Sequence, residues 1–414
     1  MTSSGQLLRS LHVLARGACA LLASVAAAAA CADEPASARP DRGRLDVDAR
    51  IYYMQRAHES GHIDESLAAG GSLLYETPWW RGLGAGAGLY ASEGLLFKDP
   101  DRDGAGLLAP GQEPYAALGQ AYLQGRAGAT LLRLYRQSLD TPLINAYDCK
   151  MTPVTVEAYT LEMAEITNLA LTVSHVRKIK PWTASRFRSM TEAAGYADTD
   201  GAVTLGGLAF AVPGLKLQAW EYYCDDIMNA VYCQADATWK IADDLSALAS
   251  VLALDQRDLG ESLAGEFRTG QAGALAGVNW AGLDFSAGFT IVDRDHDIVN
   301  PWGSYPGYTS IIEEDFNLAG ERAFVLGLGY DFSRMGLEGL SAFANHCQSY
   351  FPEGGDMLSP DRKESDLTLD YRLPVWLPGL WLRGRVAAVS DNGLRGGRDY
   401  NDFRIIVRYD FSPL

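Results

Sequence analysis

The stretch Phe403-Arg404-Ile405-Ile406-Val407-Arg408-Tyr409-Asp410-Phe411 splits into two sets by parity. Phe403, Ile405, Val407, Tyr409 and Phe411 are apolar, whereas Arg404, Arg408 and Asp410 stand with Ile406 on the other parity. Side chains of an extended chain alternate between faces, so this is a strand with one apolar and one charged face. The split recurs in Leu283–Val292, in 323–333, where Phe324, Leu326, Leu328, Tyr330 and Phe332 share a face, and in 45–53. Eighteen segments of this kind follow the chain, near 44–55, 66–77, 82–93, 115–124, 127–138, 155–163, 168–179, 203–213 and 215–225. The remainder lie near 228–241, 245–257, 272–280, 282–292, 323–333, 337–348, 363–374, 380–391 and 402–411. Each is roughly as long as a tilted strand that crosses a bilayer, about 9 to 12 residues.

The connections alternate as well. Those at 56–65, 94–114, 139–154, 180–202, 258–271, 293–322, 349–362 and 392–401 read as long, and turns such as Gly125-Arg126, Pro213-Gly214 and 333–336 read as short. Asp226-Ile227 is the exception, a tight junction where a long loop is due. Long loops on one side and short turns on the other mark outer-membrane barrels. The polar face decides between a barrel and a soluble sandwich. With Asp284, Gln120, Tyr122, Asp366, Asp370, Arg372, Arg383, Arg385, Arg404 and Arg408 it is too charged to pack against a second sheet, so the apolar face meets lipid. Trp79, Trp80, Trp239, Trp376, Trp381 and Tyr409, near strand ends, fit interfacial girdles. The fold expected is therefore all-β, a transmembrane antiparallel barrel of about 18 strands around a water-filled lumen.

Composition agrees with that reading. The 414 residues are 48% hydrophobic and 21% charged, yet mean hydropathy is −0.08, as alternation would give. A helical polytopic membrane protein and a disordered chain are excluded. A net charge of −17 argues against a nucleic-acid partner. At the start, Arg9 and Arg16 precede an apolar run, 18–30, and Ala30-Cys31-Ala32 precedes Asp33. This reads as a signal peptide over 1–32, with a single barrel domain over 33–414. Cys31 admits a lipid-modified alternative, although Ala28 replaces the usual leucine. Four cysteines remain after cleavage, Cys149, Cys224, Cys233 and Cys347, and spacing does not choose among their three pairings or exclude free thiols.

Three motifs suggest other chemistry. His58-Glu59-Ser60-Gly61-His62 has the zinc-protease spacing but lies between strands, not on a helix, and reads as a solvated loop. Asp99-Pro100-Asp101-Arg102-Asp103-Gly104 resembles the start of a calcium loop, but Pro110 stands where its bidentate acid belongs, which leaves a surface calcium site at 99–103 open. The glycines at 82, 84, 86 and 88 have period two and no lysine, and read as a glycine-lined inner face of a strand. No catalytic set, cofactor motif or structural metal site emerges, so an enzyme is not expected. The constellation with functional meaning is electrostatic: Arg50, Arg133, Arg372, Arg383, Arg385, Arg404 and Arg408 fall on polar parities of strands that closure brings together. Rows of arginine select anions, because a guanidinium holds a carboxylate in a bidentate fork. The alternative is a non-selective pore in which these arginines pair with Asp46, Asp48, Asp370 and Asp410.

Several stretches resemble the OprD family of outer-membrane porins. Arg133-Leu134-Tyr135-Arg136-Gln137, then Thr141-Pro142, Asn145, Asp148 and Met151-Thr152-Pro153, is similar to the family's strand entering its third extracellular loop. Trp220-Glu221-Tyr222-Tyr223, with Asp225-Asp226-Ile227 and Asn229-Ala230, is similar to its mid-barrel hairpin, and 300–310 and Tyr330-Asp331-Phe332 also match. The resemblance implies an 18-stranded barrel whose third loop folds inward, passing small carboxylate solutes such as amino acids and organic or aromatic acids along a basic ladder. By position Arg133, Arg383, Arg385 and Arg404 match the ladder, with Arg50 and Arg372 beside them. The segment 139–154 would form the constriction, helped by Tyr305 and Ser310. Expected partners are outer-membrane lipid and those solutes, in a monomer or weak homotrimer. The sequence departs from the family in its four cysteines, in ending at Leu414 with Phe411 the nearest aromatic residue, and in Tyr135 between two arginines.

Overall fold

The computed structural model describes residues 43–413 except 97, 197–198, 353–360, 374–376 and 392–398. The signal segment and Trp376 therefore lie outside the described residues. Eighteen strands form one antiparallel ring: β1 Arg44–His58, β2 Ile63–Glu76, β3 Leu83–Leu96, β4 Tyr115–Ala127, β5 Thr130–Gln137 and β6 Thr155–Ile166. Next come β7 Leu169–Lys180, β8 Val203–Val212, β9 Leu215–Cys224, β10 Met228–Ala242, β11 Leu245–Asp258 and β12 Arg268–Trp280. The ring is completed by β13 Leu283–Val292, β14 Arg322–Asp331, β15 Leu340–Tyr350, β16 Arg362–Arg372, β17 Leu380–Ser390 and β18 Tyr400–Phe411. A two-residue strand, Arg188–Ser189, adds to β7 in the loop before β8 and leads into a short helix, Met190–Ala193. Each strand pairs with its sequence neighbour, and β1 pairs with β18 from Val47↔Phe411 to His58↔Tyr400. No edge is left, as hydrocarbon requires, since an unpaired backbone amide in lipid costs several kcal/mol.

Alternation is visible in exposure. In β18 Phe403 and Ile405 point out to lipid at 39% and 47% exposure, while Asp402 and Arg404 point inward at 2% and 3%. Glycines on the inner face of β3 make room for aromatic rings: a Cβ on Gly86 would stand 2.3 Å from the Tyr122 ring.

The structure corrects the sequence reading at several points. The first loop is short, 59–62, because β1 and β2 stay paired to Ala57↔Ile63. The β4–β5 turn is Gly128-Ala129, not Gly125-Arg126, since Gly128 takes φ 60 and the ladder continues through Gly125↔Leu132 and Ala127↔Thr130. Trp381 faces inward rather than into a girdle, because it shares the parity of Arg383 and Arg385 and lies against the guanidinium of Arg383, 4.2 Å from its ring centroid. Trp80 and Trp239 are exposed, as a girdle requires. The Asp226-Ile227 junction is tight as read, with Asp226 at φ 60. Cys149, Cys224, Cys233 and Cys347 are all free thiols.

Two loops carry much of the buried apolar surface. Leu143 and Ile144 of the β5–β6 connection, and Trp302, Tyr305 and Tyr308 of the β13–β14 connection, join inner-facing Trp220, Tyr222 and Tyr232 in one cluster. Ser304 Oγ donates to Asn145 Oδ1 at 3.0 Å, tying the two loops together.

Gly71 in β2 has φ 131, and a Cβ there would stand 1.9 Å from the Asp48 carbonyl oxygen. Gly71→Val should destabilise the barrel by about 2 kcal/mol or more. The expected readout is a lower temperature at which the fast-migrating folded band on an unboiled gel is lost.

Candidate functional site

Closure makes β16, β17, β18 and β1 consecutive, and their inward parities supply most of the arginines singled out above. Register places Arg50 directly opposite Arg408, and Arg404 opposite Arg385. Like charges so placed repel, unless acids are inserted between them. Between Arg50 and Arg408 lie two. Asp48 accepts from Arg50 Nε at 2.9 Å and pairs with Arg408 at 3.0 Å. Asp148, from the β5–β6 loop, accepts from both terminal nitrogens of Arg50 at 2.7 Å and pairs with Arg408 at 3.3 Å. Arg408 also donates to Asp410 at 2.9 Å.

Arg404 is held in the same manner, by Asp402 at 2.5 Å and by Glu313 of the β13–β14 loop. Glu313 also pairs with Arg56, which shares the inward parity of Arg50 on β1. Arg383 forms a bidentate pair with Asp370, 2.6 and 2.7 Å, and stacks on Trp381. Arg372 lies over the same ring at 5.0 Å. Arg385 differs. Its Nε donates to Thr368 Oγ1 at 3.2 Å, and among the described residues it has no ion pair. Arg133, on β5, is similar: it meets the neutral Gln124 at 3.4 Å and the Tyr122 ring at 5.0 Å.

The remaining residues read from sequence fall elsewhere. Tyr135 has φ 87, which breaks the alternation of β5, and its ring lies 5.2 Å from the Arg136 guanidinium. Tyr305 is 1% exposed, inside the loop cluster. Ser310 Oγ donates to Asp315 at 2.6 Å. Arg56 was legible from its parity with Arg50, whereas Lys150 and Glu313 lie in loops where no periodicity marks them. The protease-like pair is also spent: His58 and His62 each place Nε2 2.9 Å from one oxygen of Asp64. The calcium-like segment forms a 3-10 turn, Pro100–Arg102, capped by Asp99. Among the described residues no cluster of acids, histidines and cysteines is arranged to hold a metal ion.

The β5–β6 loop touches inner residues half-way round the ring from each other. It meets Arg50 and Arg408 through Asp148, and its Leu143 amide donates to Tyr222 Oη of β9 at 3.2 Å. Trp182 Nε1 donates to Tyr147 O at 2.7 Å, and Lys150 Nζ donates to Ala105 O at 2.9 Å. Burial works to raise the Asp148 carboxyl, but Arg50 and then Arg408 hold it below the usual carboxylate range. Lys150 shows the opposite imbalance: burial, with Arg404 next, pushes its ammonium down to about 7. A cavity of about 520 Å³ beside this loop is lined by Asp46, Asp48, Gln120, Asp148 and Arg408.

Comparison with known proteins gives a consistent result. Residues 41–413 match the family described as outer membrane porin, OprD family. A crystal structure of Pseudomonas aeruginosa OccK9 (OpdG) superposes with a TM-score of 0.80 at 24% identity, over 89% of this chain and 98% of that one. Pseudomonas aeruginosa OpdK with vanillate gives 0.79 at 18% identity, over 89% and 98%. Acinetobacter baumannii OccAB3 gives 0.80 at 18%, over 89% and 99%. At such identities these structures speak to the fold. Comparison with the curated proteins returned no match.

Lys150 is neutral above about pH 7 and charged below, whereas an unfolded lysine titrates near 10.5. Between those values the unfolded chain binds more protons, so this group favours the docked loop increasingly as pH rises from about 7. Lowering pH from 8 to 6 should therefore add a cation beside the lumen and raise anion-over-cation permeability, measured by reversal potential in planar bilayers. Lys150→Met should flatten that response, and an unchanged response would place its origin elsewhere.

Proposed function

Because the chain belongs to the OprD family of outer-membrane porins, we propose that it is a porin for facilitated diffusion of small carboxylate-bearing solutes, amino acids or organic and aromatic acids. The family places it in the outer membrane, and family membership supports a pore rather than an enzyme. The observation that carries the carboxylate reading is Arg385. It is an inward guanidinium whose Nε donates to a neutral hydroxyl and which makes no ion pair among the described residues, so its other donors are available to a solute. Arg133 offers a second such group on another part of the wall. Arg50, Arg383, Arg404 and Arg408 are best read as the framework that sets the local field, since their forks already hold carboxylates.

We read the segment 139–154 as an inward loop that narrows the pore. Its contacts with β1 and β18 at one point and β9 at another support this. Tyr305 would back that constriction from within the loop cluster, and Ser310 would do so through Asp315. Arg372, with Trp381, would stand toward the short-turn mouth. The wall's own pairing of arginines with acids favours a second reading, a non-selective pore. The solute class separates the two. Since OpdK was crystallised with vanillate, an aromatic carboxylate is a natural first solute. The expected assembly remains a monomer or weak homotrimer.

Reconstituted in liposomes, Arg385→Gln should slow swelling with vanillate or benzoate about tenfold, and swelling with a neutral sugar of similar size less than twofold. Equal losses would establish the non-selective pore. Arg50→Ala should release Asp148 and leave it buried without its main partner, so single-channel conductance should become larger and noisier. An unchanged conductance would argue against the loop as the constriction.

A further inference from the structure

The outward face of β14, β15 and β16 departs from the apolar pattern at its long-loop end. Arg322 begins β14, and Lys363 is the second residue of β16. Both lie on the lipid-facing parity, since Ala323 and Arg362 beside them are buried inward. Neither side chain has a hydrogen bond or ion pair among the described residues. Register places the uncharged Ile291, Tyr350, Phe324, Gln348 and Ser390 around them, and the nearby acid Asp361, two residues before Lys363, is 9% exposed and accepts from the Phe351 amide at 2.8 Å. One row nearer the membrane centre, His346 Nδ1 lies 2.8 Å from Ser365 Oγ, also on the outward face. Beneath that row the outward side chains are bare hydrocarbon: Leu328, Leu367 and Leu369 are 49 to 53% exposed.

Among the described residues Arg177 on β7 and Arg257 on β11 are likewise outward and without an ion pair, whereas two further outward cations are balanced. Arg136 pairs with Glu157 at 2.9 Å, and Arg268 with Asp255 at 3.4 Å. Arg322 and Lys363 have no such partner, although the chain as a whole carries 52 acids against 35 basic residues. Strand spacing and rise put their Cα atoms roughly 12 Å apart, so both long side chains reach a common anion. The medium at this height is the head-group layer of the leaflet facing the long loops, above the apolar band. Gln348, Ser365 and His346 add hydrogen-bonding groups suited to a sugar. We propose that this face of β14–β16 is a docking surface for the phosphorylated saccharide head group of an outer-leaflet glycolipid. Arg322 and Lys363 take the phosphate, and the leucines below take the acyl chains.

The test uses the full-length folded protein in detergent, mixed with lipopolysaccharide or with the same glycolipid after enzymatic dephosphorylation, and counts retained lipid by native mass spectrometry. Wild type should retain the phosphorylated form at least about tenfold better, and inorganic phosphate alone should bind too weakly to survive transfer. Arg322→Gln with Lys363→Gln should abolish that preference, while the charge-preserving Arg322→Lys and the control Arg268→Gln should keep it. Folding of each variant is read from its heat-modifiable gel band, and the two-lipid comparison on wild type needs no variant. Equal retention of both lipids, a double variant that still prefers the phosphorylated form, or a lipid-free oligomer lost in the double variant would overturn the proposal. The last would assign the surface to a second copy of the chain.

Discussion

Pairing of β1 with β18 is the constraint on which the rest depends. Twelve residues of one strand meet twelve of the other, from Val47↔Phe411 to His58↔Tyr400. With that seam closed, every strand has two neighbours, and the backbone amides that hydrocarbon cannot solvate are satisfied within the sheet. Closure has a second effect. It brings the first and last strands of the chain together, so that Arg50 and Arg408 face each other with nothing but side chains to separate them. The basic wall is thus a product of the same seam that makes the barrel stable.

A wall of opposed arginines is costly unless it is neutralised. The chain neutralises it in two ways. Acids two residues away on the same strand, Asp48 for Arg50, Asp402 for Arg404 and Asp410 for Arg408, share the inward parity and reach back along it. Acids from distant loops, Asp148 and Glu313, supply the rest. The second device couples electrostatics to loop position: the β5–β6 and β13–β14 loops are held partly by charges the wall could not leave unpaired. Arg385 makes its hydrogen bond to a neutral partner and feels Asp366 and Asp402 only without direct ion pairing, and this asymmetry distinguishes it from its neighbours.

Strand reading succeeded where alternation was strict. In β18 and β13 the parities seen in the sequence are those of the lipid and lumen faces. It failed where one residue breaks the period. Gly128 takes a left-handed conformation and draws the turn three residues beyond Gly125, and Tyr135 at φ 87 turns away from the rank of Arg133. Trp381 misled for another reason. Its position near a strand end is that of a girdle residue, but its parity is that of Arg383, and parity decides the face. The first loop was overestimated because Arg56 and His58 are polar, and polarity on an inward face looks the same as polarity in a loop.

From the sequence alone came the class of fold, the strand count, the lumen-facing parity of the arginines and the resemblance to a porin family. All of these follow from period two or from local motifs, which a linear chain displays directly. Only the tertiary structure decided which arginines already hold carboxylates and which meet neutral partners, because that depends on whether an acid from a residue far along the chain arrives beside them. Asp148 is 98 residues from Arg50, and Arg404 meets Glu313 across a similar separation. No local pattern encodes such meetings: they are set by the register of the closed ring and by the path of two loops.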